Sequence, residues 1–436
     1  MKKVLFLFSV TFIHFFGFSS SLEKEKCINI HREWIQEAFF LTQNTVGFTA
    51  PVSGRAYAYF SIGMYESTVE FFDELNSLSD QLNEYNRQVW MQNDKELNWS
   101  LVANSVDFEM LSYLFRNMPP SNNERVHQLF SKLNKANSKF CSKKKNQASI
   151  FYGKRIAQEI IEWSKLDRGD EGFNQNYPEN FVAPVCEGCW TKTVPGYLPS
   201  LLPYWGNNRP LIKKSDQVAA NCIAFEYSPD TNSVMYKEAM KVLVNSKSPN
   251  QKHEIIAEYW DDAAGYSGTP TGHFFTIAKK LAIEQHISPT HELQLYATLG
   301  IAINEAFISA FQLKYKYNFI RPITYIQQNI DSEFNTRITS PPFPEYPSGH
   351  SFQSGAATEV MKSIFGDSIQ IIDITNQNRH DIDGSPRQYN SLTEMSEEIS
   401  ISRLYGGIHF QKTLDESLFH GRKIGVFITQ QLKLIK

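Results

Sequence analysis

The chain has 436 residues, of which 42% are hydrophobic and 14% aromatic, enough for one large or two ordinary domains and too apolar for a disordered chain. Its formal net charge is −3 and no long basic stripe runs along it, so it carries no electrostatic footprint for nucleic acid.

The first 21 residues, "MKKVLFLFSVTFIHFFGFSSS", read as a secretory signal. Lys2 and Lys3 form the charged start, Val4 to Phe18 the apolar stretch, and the serines at 19 to 21 the small residues for cleavage. A single membrane anchor is the competing reading, but the apolar run is short for a span and polar "LEKEK" follows. The expectation is an exported chain, periplasmic or secreted, with no membrane span after signal removal. Five cysteines remain: Cys27, Cys141, Cys186, Cys189 and Cys222. Cys186 and Cys189 form a lone C-E-G-C without the two further ligands zinc needs, so a local disulfide or a pair of structural thiols is expected there.

Helical spacing then dominates. "PVSGRAYAYFSIGMYESTVEFFDEL" places Pro51 near a first turn, and similar patterns run from about Glu96 to Leu133 and from Gln147 to Lys165. Between Asp167 and Gln217 the texture changes to Pro, Gly, Asn and aromatics, a loop long enough to be functional, such as a lid or channel wall. Helices are predicted again from Val234, over His253–Asp262 and over Gly272–Gln285. A long one is signalled by Ser288 as N-cap and Pro289 as first residue. Its run "LYATLGIAINEAFISAF" is interrupted by Asn304 and Glu305, which makes it a buried helix rather than a span. Further helices are expected over Ser351–Phe365, Thr393–Tyr405 and from Thr413 onward, where Thr413 and Glu416 have capping-box spacing. Few segments alternate with period two. The fold class is therefore all-α, built of packed helical bundles. The expected division is residues 22–250, an N-terminal helical region including the loop 167–217, and residues 251–436, a C-terminal bundle.

Three patches in that last part suit an oxyanion. In "KYKYNFIRP", Lys314 and Arg321 stand seven apart, close to two helical turns, so both cations could project from one side before Pro322 ends the helix. In "PSGH", Ser348 and Gly349 open a helix with a hydroxyl, a bare N–H and the positive end of a dipole, followed by His350. In "SRLYGGIH", Arg403 is separated by Gly406 and Gly407 from His409, which enters from a turn before the next helix. Arginine offers a rigid fork for phosphate-like groups and lysine a compact charge. Histidine can act as nucleophile, metal ligand or proton donor.

In this order the motifs resemble the signature of the type 2 phosphatidic acid phosphatase and vanadium-dependent haloperoxidase superfamily. Weaker similarity to its soluble, exported haloperoxidase-like branch extends over most of the mature chain and includes "YLPSLLPYWGNNRPL", "WDDAAG" and "PPFPEYPSGHS". The resemblance implies that Lys314, Arg321 and Arg403 hold the oxygens of vanadate or phosphate, helped by Ser348 and the Gly349 N–H. It implies that His409 is the axial vanadate ligand or phosphatase nucleophile, that His350 is the general acid/base, and that Lys314 shares in polarising the peroxide. Phe343 matches a position that is Phe in chloroperoxidases and His in bromoperoxidases. The signature usually continues His-x3-Asp, but Thr413 stands here, leaving Asp415 as a possible substitute carboxylate, and Phe311 stands where many relatives have Trp.

Three functions follow as expectations. The first is an exported haloperoxidase, an oxidoreductase using bound vanadate and hydrogen peroxide to oxidise a halide. The second is an exported acid phosphatase acting on a phosphate ester through a phosphohistidine at His409, with no resident cofactor. The third, suggested by Thr413, is an inactive anion-binding or surface protein on this scaffold. All three bind small molecules rather than nucleic acid.

Overall fold

The computed structural model describes residues 2–91, 97–139, 141–220 and 225–436, with side chains from residue 21 onward. The side chains of the expected signal segment, and Cys222, lie outside the described residues. Among the described residues no helix is long and apolar enough to cross a membrane.

The N-terminal half is built from α1 (Lys2–Asn44), α2 (Ala50–Glu66), α3 (Trp99–Leu114), α4 (Pro120–Asn137) and α5 (Lys143–Ser164). One predicted pattern, Glu96 to Leu133, is two helices because Pro119 and Pro120 interrupt the chain, and Pro120 then serves as a first-turn residue of α4. The segment 165–217 contains only four single 3-10 turns, as its composition suggested. Within it Cys186 and Cys189 form a disulfide. The second half follows with α6 (Val234–Ser246), α7 (Gln251–Tyr259), α8 (Thr269–Glu284), α9 (Pro289–Tyr317), α10 (Pro322–Asn329), α11 (Gly349–Phe365), α12 (Leu392–Tyr405) and α13 (Gln411–Gln431). A short antiparallel pair, β1 (Ile371–Asp373) and β2 (Arg387–Tyr389), lies between α11 and α12.

The long helix α9 is the axle. The Ser288 hydroxyl accepts from the His291 N–H, Pro289 fills the first turn, and nearly every later residue to Lys314 is buried. It packs on α2 from the first half and on α11 from the second. One apolar core therefore runs from Cys27 through α9 to Leu434. Helix α9 ends with its helical pattern at Tyr317, short of the stop expected at Pro322. Asn318 adopts the left-handed conformation (φ 46°) that asparagine tolerates, and its N–H closes on the Lys314 carbonyl. Pro322 accordingly begins α10 rather than ending α9, with Arg321 as an extended N-cap.

Helices α11 and α13 make the other close pairing. A Cβ on Gly355 would fall 2.6 Å from the Leu418 carbonyl oxygen, and Gly421 lies against the Phe352 carbonyl in return. This approach, possible only without side chains, sets the start of α11 against the start of α13.

Candidate active site

Four pieces of chain converge at that junction. The C-terminal end of α9 brings Lys314, the turn before α10 brings Arg321, the start of α11 brings Ser348, Gly349 and His350, and the end of α12 with the following turn brings Arg403 and His409. Lys314 and Arg321 meet because the chain turns at Asn318, not because they share a helix face. The expected arrangement on one helix is corrected by that cap. The other two motifs fold as expected. Ser348 caps α11 by accepting from the Ser351 N–H, and α12 ends at Tyr405 before Gly407 takes φ 81°.

Each cation is held by main-chain carbonyls. Lys314 Nζ donates to the carbonyls of Pro344 (3.0 Å), Glu345 (3.1 Å) and Pro347, three acceptors that use all three protons of an ammonium. Arg321 donates through Nε to the Phe343 carbonyl at 2.9 Å and through Nη1 to the Ile408 carbonyl at 2.9 Å. Arg403 Nη1 donates to the Trp260 carbonyl at 2.7 Å, and Nη2 reaches Asp261 Oδ1 at 3.3 Å. The proline-rich stretch 341–347 thus acts as a rigid acceptor strip for two of the three cations. The Phe343 ring lies 4.7 Å from Lys314 Nζ and 4.9 Å from the Arg321 guanidinium carbon, covering both with its π face. Phe311 packs on it at 5.4 Å.

After those bonds, Arg321 Nη2, Arg403 Nε and His350 Nε2 remain buried and without a partner. Unmet buried donors are costly. Beside them the position of a Cβ on Gly349 meets nothing nearer than Phe307 at 3.9 Å, so open space adjoins the N–H at the head of α11. Gly349, His350 and Phe343 keep partial exposure, which marks the way in. An oxyanion supplies acceptors for these donors, and a vanadate or phosphate fits the donor set.

The electrostatics agree. Burial, then Arg321 and Lys314, hold the His409 imidazole well below its usual range. Burial and then Arg403 do the same to His350, which is hydrogen-bonded to the Asp261 main chain. Burial and Arg321 press on Lys314 in the same direction. Burial lowers Arg321 to about 9, against the pull of Glu345, so it stays charged at neutral pH. Positive charge is packed here more densely than the few acids can balance, and both histidines rest neutral.

One site residue escaped the sequence reading. His409 Nδ1 lies 2.8 Å from Glu345 Oε1, which also accepts the Phe410 N–H at 3.1 Å. Thr413 donates its hydroxyl to Glu345 Oε2 at 2.9 Å. The expected support from Asp415 is not made: it accepts from exposed Gln411. The expected N-cap role of Thr413 is not made either. Phe410 occupies the cap of α13, and Thr413 stands inside the first turn with its hydroxyl on Glu345. Glu345 carried no spacing signal. Its only mark was an acid buried among prolines two residues before Pro347.

Behind the site, His273 bridges Asp262 Oδ1 (3.0 Å) and Asp373 Oδ2 (2.7 Å), fully buried, with Trp260 stacked on it at 4.6 Å. This clamp fixes the Trp260–Asp261 segment that receives Arg403 and His350. The long segment of residues 165–217 packs alongside. Trp190 N–H donates to the Asn318 carbonyl, Ile320 N–H to Gly188, and Leu201 N–H to Pro342.

The family-model match and the similar solved structures support the vanadium haloperoxidase and type 2 phosphatidic acid phosphatase superfamily for this chain. Residues 294–435 match the VCPO second helical-bundle domain. Among solved structures, it is similar to the first bacterial vanadium-dependent iodoperoxidase, at 28% identity and TM-score 0.83, covering 94% of this chain and 97% of that one. The fold is also that of a bacterial vanadium-dependent chloroperoxidase. Its apo form aligns at TM-score 0.63 and 11% identity, and its holo form at 0.60 and 15%, each covering 89% of this chain and 94% of that one. No curated protein matches the chain.

Proposed function

We propose that the protein is an exported haloperoxidase that uses bound vanadate and hydrogen peroxide to oxidise a halide. The observation that carries this reading is the set of buried, unpartnered donors, Arg321 Nη2 and Arg403 Nε, facing the same site as His409 on a haloperoxidase fold. Vanadate, when bound, supplies a Lewis-acidic centre that activates peroxide toward a two-electron oxidation. The chain does the rest. Arg321, Arg403 and Lys314 neutralise the oxyanion, and the Gly349 N–H and Ser348 at the head of α11 add the dipole's positive end. His409 Nε2 lies 3.3 Å from Arg321 Nη1, a donor, so this nitrogen carries the ring's lone pair and is the atom that would ligate the metal. His350 Nε2, neutral and unpartnered, is placed to take a proton from the bound oxidant. The similarity to an iodoperoxidase makes iodide the first halide to test.

The same lone pair on His409 supports a second reading, phosphoryl transfer to His409 with His350 serving the leaving oxygen. One preparation separates the two. Vanadate-loaded protein is assayed for peroxide-dependent halogenation of a dye with iodide and bromide, and unloaded protein for hydrolysis of a phosphate monoester. Halogenation abolished in His409→Ala supports the first. Hydrolysis blocked by vanadate supports the second. Silence in both overturns both and leaves the anion-binding scaffold, a reading motivated by Thr413 that weakens once Glu345 stands beside His409. Export is tested by the N-terminal sequence of the protein recovered outside the cytoplasm, expected to start after residue 21.

A further inference from the structure

We infer that Glu345 is the positioning residue that sets the tautomer and orientation of His409, with Thr413 holding the carboxylate in place. The inference rests on the reading of His409 as the residue that meets the anion. Its basis is a closed pattern of donors and acceptors around one imidazole. Arg321 can only donate, so at 3.3 Å it requires a lone pair on His409 Nε2. The neutral ring must then carry its proton on Nδ1, and the atom facing Nδ1 at 2.8 Å is Glu345 Oε1. The carboxylate is fixed in turn: Oε1 accepts from the Phe410 N–H and Oε2 from the Thr413 hydroxyl. Glu345, Thr413 and Phe410 are all fully buried, so water does not compete. A carboxylate in this place makes the opposite nitrogen more basic and holds the ring plane. Threonine at 413 belongs to the arrangement. It provides the donor that a buried carboxylate oxygen needs, where a second acid would put like charge.

The test is a transposition of the carboxylate, read by binding and by nitrogen chemical shift. In 15N-histidine NMR of the ligand-free wild type, His409 is expected to be protonated on Nδ1 and bare on Nε2. Glu345→Gln is expected to weaken vanadate binding by about 10- to 100-fold and to weaken, with Arg321 still facing Nε2, that tautomer preference, because a neutral amide oxygen accepts from Nδ1–H less strongly than a carboxylate. Glu345→Gln combined with Thr413→Asp returns a carboxylate to the same pocket from the neighbouring turn of α13. It is expected to recover most of the affinity and the Nδ1–H signal, which a merely structural role for Glu345 does not predict. The inference is overturned by an Nε2–H tautomer in the wild type. It is equally overturned by a Glu345→Gln variant that keeps wild-type affinity and tautomer, or by a double variant no better than the single. If Glu345→Gln does not fold, the wild-type tautomer and the folded double variant decide. A wild type that binds neither vanadate nor phosphate overturns the proposed function instead, and the tautomer measurement, which needs no ligand, still decides the role of Glu345.

Discussion

At the scale of single residues, Thr413 changes meaning once its surroundings are known. In the sequence it stands where the superfamily signature has a carboxylate, and it looks like a loss. In the fold it donates to a carboxylate that arrives from residue 345 instead. Burial pushes Glu345 up to about 7, against the pull of Arg321 and Lys314, so the pocket tolerates one negative charge with little to spare. Adding Asp at 413 to an intact Glu345 is therefore expected to harm. Two carboxylates in contact cannot both ionise, and one must take a proton. Thr413→Asp alone should cost about 1–3 kcal/mol in urea unfolding at neutral pH, and more at pH 8 than at pH 6, because the higher pH strips the shared proton. A deficit that does not grow with pH would contradict this account. The cations and histidines that converge here were singled out by residue type together with the order of the three motifs. Glu345 was not, because its role depends on a contact 64 positions along the chain that no local pattern records.

At the scale of elements, the caps explain what was readable. Ser288, Ser348 and Ser391 each accept from a first-turn N–H, and each start lies where the sequence suggested it or within two residues. Helix ends were harder. The stop at Asn318 depends on one left-handed residue, and reading Pro322 as a terminator hid α10. Strands β1 and β2 have three residues each, too few to show a period of two. The element that most firmly backs the site is the Asp262–His273–Asp373 clamp. Burial pulls the imidazole down, but the two carboxylates outweigh it and lift His273 to about 10, so it is an imidazolium at neutral pH. His273→Asn should destabilise the protein by about 3–5 kcal/mol at pH 7, since two buried carboxylates lose their counter-ion. The pH course has a definite sign. The folded pKa exceeds the unfolded value of about 6.5, so the contribution is complete below that pH and fades as pH rises toward 10. Wild-type stability should fall over that window more steeply than that of His273→Asn, and parallel curves would show that the clamp is not charged.

At the scale of the molecule, α9 does more than carry Lys314. Glu305, in the middle of this helix, accepts the Leu211 N–H at 2.8 Å and the Ser215 hydroxyl, tying down the far end of the long segment whose middle lies beside the site. The acid is fully buried, and Asn304 Nδ2 donates to it as well, at 3.3 Å. Burial raises Glu305 from 4.5 to about 7, despite the hydrogen bonds from Ser215 and Leu211. Here the folded protein holds a proton that the unfolded chain has already released. Stability is therefore greatest below about pH 4.5 as far as this group is concerned, and declines as pH rises to about 7. The displacement is worth about 3 kcal/mol. Glu305→Gln keeps an oxygen for the Leu211 N–H and cannot ionise. Its stability relative to wild type should therefore improve by about 3 kcal/mol between pH 4.5 and 7.5 and change no further above that. Urea unfolding of the pair across this range measures the difference directly, and a gap independent of pH would mean that Glu305 is charged throughout. The outcome also bears on the site. A tie between α9 and the long segment that loosens as pH rises from about 4.5 to 7 would make the wall against Asn318, Ile320 and Pro342 firmer in acidic surroundings than at neutral pH and above. Hydrogen exchange at the Leu211 and Leu201 amides, compared at pH-corrected rates, should then show protection falling together in wild type and staying level in Glu305→Gln.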